Sequence, residues 1–191
     1  TDGSRDSLHR SPHHPEDNPY PRVNVSPISQ KTLKPENTPM TIHLRPGQKS
    51  LRKGRVSIPG EVYFITFVCH ERKQIFADWE CASRASKILT EKRLWRNSKL
   101  LCWVLMPDHW HGLVQLADEE SLSKLMQRVK AVSAKNINIL RKSNDSVWQK
   151  CFFDRGLRSE EDIRSITEYI IANPIRAGLV TDIELYPFWD A

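Results

Sequence analysis

Two histidines separated by one residue, His109 and His111, are the pair whose spacing most directly predicts chemistry. Successive side chains of a β-strand point to opposite faces, so an extended segment would place both imidazoles on one face and Trp110 on the other. Neutral imidazoles bind divalent cations, and two protein ligands leave positions open for water or substrate. The alternative is two histidines on a half-exposed face that hydrogen-bond to their neighbours.

Tyr169 and Asn173 form a second pair, spaced four residues apart near the C-terminus. On a helix this spacing puts a phenol and an amide on one face, where both could approach the same ion. A phenol is a weak nucleophile at neutral pH because it is almost entirely protonated, so its attack on a phosphate would need a metal to stabilise the developing charge. The alternative is that Tyr169, beside Ile170, is an ordinary helix residue at the edge of the core.

Basic and aromatic side chains predict contacts with a polyanion, in keeping with a formal net charge of +6. One set falls on a single stripe of a long helix and could line up phosphates; it comprises Lys124, Arg128, Lys135 and Lys142. A second set could stack on unpaired bases and pair with phosphates; it comprises Trp148, Phe152, Phe153, Arg155 and Arg158. A solvated charged face and the core of a sheet are the respective alternatives.

The elements that would position these residues follow from periodicity and from turn residues. Dense β-branched and aromatic residues predict strands, and apolar residues at helical spacing predict helices. Pro107-Asp108 favours a tight hairpin, Ser121 favours a helix start, and Pro174 favours a helix end. The expected order is strand 61–70, helix 79–95, strands 99–106 and 109–116, helix 121–142, strand 147–153 and helix 159–172.

This order is typical of an α+β fold, the split βαβ or ferredoxin-like sandwich. We expect an antiparallel sheet with helices on one face, plus a C-terminal helix that carries the catalytic residues. Residues 1–50, rich in Pro and His and without periodicity, are expected to be a disordered tail, and residues 54–191 a single catalytic domain.

Composition also argues against several classes of protein. The four cysteines are widely spaced and include no CxxC pair, so we expect reduced thiols rather than a disulfide framework or a cysteine zinc site. No apolar run approaches the roughly 20 residues of a membrane span. A soluble, cytoplasmic protein is expected.

Five longer segments resemble one family, the REP-associated tyrosine transposases, which belong to the single-tyrosine HUH transposases of simple insertion sequences. The segments are VYFITFVCHERKQIF, VLMPDHWHGLVQL, SLSKLMQRVKA, VWQKCFFDRGLRSEEDI and YIIANPIRAGLV. They occur in the expected order, and the resemblance covers residues 55–191.

The resemblance implies a set of roles. His109 and His111 match the HUH histidines that hold Mg²⁺ or Mn²⁺, Tyr169 matches the nucleophile, and Asn173 matches the third metal-binding position. The implied reaction is cleavage and rejoining of single-stranded DNA through a 5′-phosphotyrosine intermediate, with hairpin or palindromic repeats as targets. Relatives include monomers and homodimers. Mg²⁺ prefers oxygen ligands, whereas paired imidazoles suit Mn²⁺ or Zn²⁺ better.

Two other classes of function remain open from the sequence. One is a DNA-binding protein that keeps the fold without catalysis, although the presence of both histidines and the tyrosine argues against it. The other is a metal-dependent hydrolase that activates water at the histidine pair, in which Tyr169 would be dispensable.

Overall fold

The computed structural model describes residues 57–157 and 160–191. Within these ranges the chain forms five strands and five α-helices, joined by short 3₁₀ turns. In chain order they are β1 (Val62–Val68), α1 (Trp79–Leu89), α2 (Lys92–Trp95), β2 (Lys99–Met106), β3 (His109–Gln115), α3 (Leu122–Arg141), β4 (Phe153–Leu157), α4 (Glu160–Ile171), α5 (Asn173–Arg176) and β5 (Trp189–Asp190).

The strands form one antiparallel sheet in the order β4-β1-β3-β2-β5. β1 and β2 run parallel to each other with β3 inserted between them, which is the split βαβ arrangement. The predicted ferredoxin-like α+β fold is therefore confirmed, and so is the hairpin of β2 and β3 around Pro107-Asp108.

The central strands are buried on both faces, and alternation divides their side chains between two layers. Tyr63, Ile65 and Phe67 of β1 belong to the main hydrophobic core, which also contains the buried residues of α1 and α3. Phe64 and Thr66 point to the opposite face and are also buried. α1 and α3 therefore cover one face of the sheet, which we call the helical face.

Capping residues begin both long helices on the helical face. The Asp78 carboxylate accepts a hydrogen bond from the Cys81 N–H at 2.8 Å, and the Ser121 hydroxyl accepts one from the Lys124 N–H at 3.4 Å. The predicted role of Ser121 is thereby confirmed. No helix in the described part of the chain is long and apolar enough to cross a membrane.

The predicted fourth strand at 147–153 is wrong in position, because β4 begins only at Phe153. Val147 and Trp148 are buried in the core without joining β4, and only one bridge, between Trp148 and Cys69, links this stretch to the sheet. The Lys130 ammonium donates to the backbone oxygens of residues 149, 150 and 151. These contacts hold the stretch as a loop.

Two helix ends also differ from expectation. The predicted helix 79–95 is interrupted after Leu89, where Glu91 adopts an extended backbone, and α2 follows as a separate turn. At the C-terminus, α4 ends at Ile171, but Asn173 begins α5 instead of leaving the helical region. The predicted tail (1–50), the first residues of the predicted domain and Ser159 lie outside the described residues.

All four cysteines are free thiols, and Cys69, Cys81 and Cys102 are buried. Burial raises the pKa of Cys69 and of Cys102 to about 12, so these two thiols stay protonated and unreactive at neutral pH.

Gly112 lies under the indole ring of Trp110 on the helical face of the sheet, because residues two apart on a strand share a face. A Cβ atom at position 112 would overlap three atoms of that ring. Trp110 is completely buried between Phe67 and Trp95 and has no room to move aside. Glycine is therefore required here by packing.

We expect Gly112→Ala to lower the free energy of unfolding by about 1–3 kcal/mol, the usual cost of overpacking a core. Gly156→Ala is the matched control, since its Cβ would meet its nearest neighbour at an ordinary 3.4 Å. Urea unfolding of both variants tests this. An equal effect of the two substitutions would contradict the packing argument.

Candidate active site

His109 and His111 lie side by side on the sheet face opposite the helical face. Their ring centroids are 4.7 Å apart and the ring planes are inclined by 75°. Trp110, between them in sequence, packs on the helical face against Phe67. The predicted alternation along this strand is confirmed, and it leaves two imidazoles facing the same space.

Each imidazole is oriented by a hydrogen bond at Nδ1. The Nδ1 atom of His111 lies 2.8 Å from the Thr66 hydroxyl of β1, and that of His109 lies 2.5 Å from a carboxylate oxygen of Asp108. Hydrogen bonds of this kind set the tautomer and orientation of metal-binding histidines. Since Nδ1 of each ring is engaged, Nε2 is the atom that could bind a cation.

Asp108 links His109 to Arg72, whose guanidinium donates to the other carboxylate oxygen at 3.0 Å. Burial opposes the charged form of this carboxyl, but His109 and Arg72 outweigh it and lower the pKa of Asp108 to about 2. Arg72 follows Glu71 in a 3₁₀ turn where both residues have positive φ angles, 57° and 56°. This uncommon backbone conformation brings the Arg72 guanidinium to the Asp108 carboxylate, which in turn orients His109.

His111 is held in its neutral form. Burial lowers the pKa of His111 well below its usual value, and the neighbouring His109 lowers it further. Only a neutral imidazole can bind a cation, and this ring is in that form at neutral pH.

Tyr169 approaches the histidine pair from α4, which packs on the same face as the histidines. Its ring centroid is 5.9 Å from that of His111 and 6.1 Å from that of Phe64, which it meets edge-on. Phe64 in turn stacks on His111 at 5.3 Å. Phe64 therefore supports both rings, and the phenol and the imidazoles meet within one chain.

Asn173 lies one turn beyond Tyr169, and its side-chain nitrogen donates to the Tyr169 backbone oxygen at 2.7 Å. The amide oxygen is left as a potential ligand. Among the described residues, no group of three or more His, Cys, Asp or Glu side chains could hold a metal ion. The two imidazoles face the same space and could each offer a nitrogen to a divalent cation, whose other positions water or further ligands would fill.

The basic residues predicted on α3 lie away from this site, because α3 packs on the helical face. Lys124 and Lys135 are exposed. Arg128 forms a two-pronged ion pair with Glu120, with both contacts at 2.5 Å, and also donates to the Leu94 oxygen. Lys142 ends the helix in a left-handed conformation, outside the stripe.

The residues predicted to stack on bases and to pair with phosphates lie on different faces of the sheet. Trp148 is buried, packs against Phe67 and Phe76, and donates its indole N–H to Ser133, so its position favours a core role. Phe152 is partly buried against the same core.

The other described members of that set lie on the histidine side of the sheet. Phe153 and Arg155 of β4 are paired with Thr66 and Phe64 of β1, and residues paired across antiparallel strands share a face. Arg155 also lies near the Asp162 carboxylate, at 3.7 Å. Arg158 lies outside the described residues.

Four residues of the site were not identified from the sequence: Phe64, Thr66, Asp108 and Arg176. The Arg176 guanidinium lies over the face of the Tyr169 ring, 4.9 Å from its centroid. Thr66, a hydroxyl in the middle of an apolar strand, was the clearest available signal, since a buried hydroxyl requires a hydrogen-bond partner.

The family described as "Transposase IS200 like" matches residues 60–173 of this chain. The protein belongs to this family of transposases, enzymes that cleave and transfer DNA strands.

Two individual proteins show the same relationship. The REP-associated tyrosine transposase of Escherichia coli (strain K12) is 26% identical over 140 residues, which span 70% of this chain and 78% of the relative. The solved structure of a REP-associated tyrosine transposase bound to a REP hairpin superposes with a TM-score of 0.57 and 25% identity. It covers 71% of this chain and 79% of the other.

The contacts of the Asp108 carboxylate with His109 and Arg72 predict a pH-dependent contribution to the free energy of unfolding. Because the folded-state pKa of Asp108 is lowered, its carboxylate stabilises the fold above the unfolded-state pKa of about 4, and this contribution is lost as the pH falls toward about 2. We expect Asp108→Asn to cost roughly 1–2 kcal/mol at neutral pH and progressively less below about pH 4. Urea unfolding of the wild type and of Asp108→Asn, from neutral pH downward through about pH 4, measures this difference in the free energy of unfolding. A difference that does not change with pH would refute the prediction.

Proposed function

We propose that this transposase cleaves and rejoins single-stranded or hairpin DNA through a covalent bond to Tyr169. The observation that carries the proposal is the Tyr169 ring 5.9 Å from His111, within one chain and on the face that bears both histidines. A lone tyrosine at the edge of a core would not require an oriented histidine pair beside it. One protomer contains all of these groups, so either a monomer or a homodimer could act.

In the proposed step, the Tyr169 hydroxyl oxygen attacks the phosphorus of a DNA phosphodiester. The new bond joins this oxygen to the 5′-phosphate, and the bond from phosphorus to the 3′ oxygen breaks. The phenol proton passes to solvent, and the departing 3′ oxygen takes up a proton to become a 3′-OH. Attack by a 3′-OH on the phosphotyrosine reverses the step and joins a strand, without any energy source.

We propose that His109, His111 and Asn173 would hold the divalent cation that this family of transposases implies. When bound, such a cation would act as a Lewis acid that draws negative charge from the scissile phosphate. Mg²⁺ and Mn²⁺ are the candidates, and the two imidazoles favour Mn²⁺ over Mg²⁺ in affinity.

The chain's own groups prepare the reaction in three ways. Asp108 and Thr66 fix both imidazole rings, so the ligand atoms need no reorganisation when the substrate arrives. Phe64 packs edge-on against the Tyr169 ring and so restricts the movement of that ring. The buried surroundings of His111 exclude water from one side of the site.

We propose that the DNA crosses the histidine side of the sheet, with Phe153 and Arg155 as nearby stacking and phosphate contacts. The related transposase solved with a REP hairpin supports a hairpin substrate. Lys124 and Lys135 on the helical face, with Arg128 paired to Glu120, would contribute at most sequence-independent attraction. A protein acting on chromosomal DNA would work in the cytoplasm, at the nucleoid.

Tyr169→Phe should abolish covalent chemistry and spare DNA binding. Purified protein is incubated with end-labelled hairpin oligonucleotides and Mn²⁺ or Mg²⁺, and adducts are separated on a denaturing gel. The wild type should form a protein–DNA adduct that EDTA prevents and that Tyr169→Phe does not form.

Other outcomes of this experiment identify the alternative functions. Cleavage that survives in Tyr169→Phe without an adduct would show a metal-dependent hydrolase. Binding without cleavage, with both metals and with varied repeats, would show a non-catalytic DNA-binding protein.

Arg155→Gln should weaken binding to a hairpin oligonucleotide more than Lys135→Gln does, because only Arg155 lies on the histidine side. Loss of one phosphate contact should also lower the slope of log K against log salt by roughly 0.7. Lys87→Gln, an exposed lysine on α1, is the matched control for charge. Equal losses of affinity in Arg155→Gln and Lys135→Gln would contradict the proposal that the DNA lies on the histidine side.

A further inference from the structure

The guanidinium of Arg176 is the charged group that the structure brings against the proposed nucleophile. Its Cζ atom lies over the Tyr169 ring at 4.9 Å from the centroid. Among the described residues, no ion pair involves Arg176, although acidic side chains pair with several other arginines. Within the described ranges, no carboxylate neutralises its charge.

The backbone around Arg176 is held firmly. The Leu179 N–H donates to the Pro174 oxygen and the Gly178 N–H to the Ile175 oxygen, both at 2.9 Å, and Gly178 has a φ of 68°. This pair of hydrogen bonds is the Schellman motif that ends a helix. Together with the bond from Asn173 to the Tyr169 oxygen, it fixes α5 relative to α4.

We propose that Arg176 binds the scissile phosphate at the Tyr169 oxygen and stabilises the charge that develops there during attack. This inference rests on the proposed function. The guanidinium presents several N–H groups in a planar fork that matches two oxygens of a phosphate. It lies over the ring that bears the attacking oxygen, so the same group would contact the phosphate before attack and in the phosphotyrosine.

A purely structural role is the competing explanation, because an arginine over an aromatic ring also contributes packing and a cation–π attraction of about 0.5–1 kcal/mol at an exposed site. The two roles differ in one respect. A phosphate contact depends on the negative charge of the substrate, whereas packing of α5 against α4 does not.

The decisive experiment compares two hairpin oligonucleotides on each protein preparation. One has a normal phosphodiester at the scissile position, and the other has a neutral methylphosphonate there. The rate of adduct formation is measured at saturating protein, so that DNA affinity does not enter. The ratio of the two rates on one preparation is independent of the fraction of folded protein.

Arg176→Gln should slow adduct formation on the phosphodiester about 100-fold, the usual effect of removing one charge-stabilising donor. On the methylphosphonate the same substitution should change the rate less than about threefold. Arg176→Lys, which keeps the charge but not the fork, should lie between the wild type and Arg176→Gln. Arg164→Gln, an exposed arginine of α4 itself, is the matched control and should react like the wild type.

Equal slowing on both oligonucleotides, or no slowing at all, would overturn the role of Arg176 while leaving tyrosine catalysis intact. A wild type that forms no adduct with the phosphodiester would instead overturn the proposed function, and the inference with it. The two failures are therefore distinguishable in one gel.

Discussion

The burial of Trp110 is the interaction on which the geometry of the site depends. Its indole is enclosed on the helical face of the sheet, over Gly112 and between Phe67 and Trp95. Because neighbouring side chains on a strand point to opposite faces, this packing forces His109 and His111 onto the other face. A slip of one residue in the β3 register would turn both imidazoles into the apolar core of the helical face and move the indole to the opposite face. The core of the protein thus holds the two candidate ligands in place.

The two histidines are prepared by different means, and this difference follows from their neighbours on the adjoining strand and turn. His111 is opposite Thr66 in the middle of the sheet, where burial keeps its imidazole neutral and a hydroxyl orients it. His109 is at the start of β3, next to the hairpin turn, where the Asp108 carboxylate contacts its Nδ1 atom and is itself bonded to the Arg72 guanidinium. The Asp108 carboxylate at the start of β3 and the Thr66 hydroxyl in the middle of the sheet have the same effect. Each engages Nδ1 of one imidazole and leaves Nε2 for a ligand.

Local patterns were sufficient for the elements that depend on local chemistry. The hairpin follows from Pro107-Asp108, the start of α3 from Ser121, and the split of side chains around Trp110 from alternation. The misplaced fourth strand shows the limit, since Val147 and Trp148 are as apolar as strand residues but are buried in a loop that Lys130 holds from another helix. Arg128 was likewise assigned to an exposed stripe, yet its partner Glu120 precedes the helix and falls outside any helical repeat. Thr66 could be matched to His111 only once the strand register was known.

At the join between α4 and α5, the Asn173 side chain bonds back to the Tyr169 backbone although the helix is interrupted between the two residues. Pro174 has no N–H to donate to the preceding turn, which would leave carbonyl oxygens there without partners. The oxygen that loses this donor is that of Ile170, four residues before Pro174. The Asn173 side-chain nitrogen lies 3.5 Å from it and donates to the neighbouring Tyr169 oxygen at 2.7 Å. Because the amide nitrogen is committed to the backbone, its oxygen is the atom left for another partner. The proline thus ends the regular hydrogen bonding of α4, and the asparagine beside it partly compensates through its side-chain nitrogen.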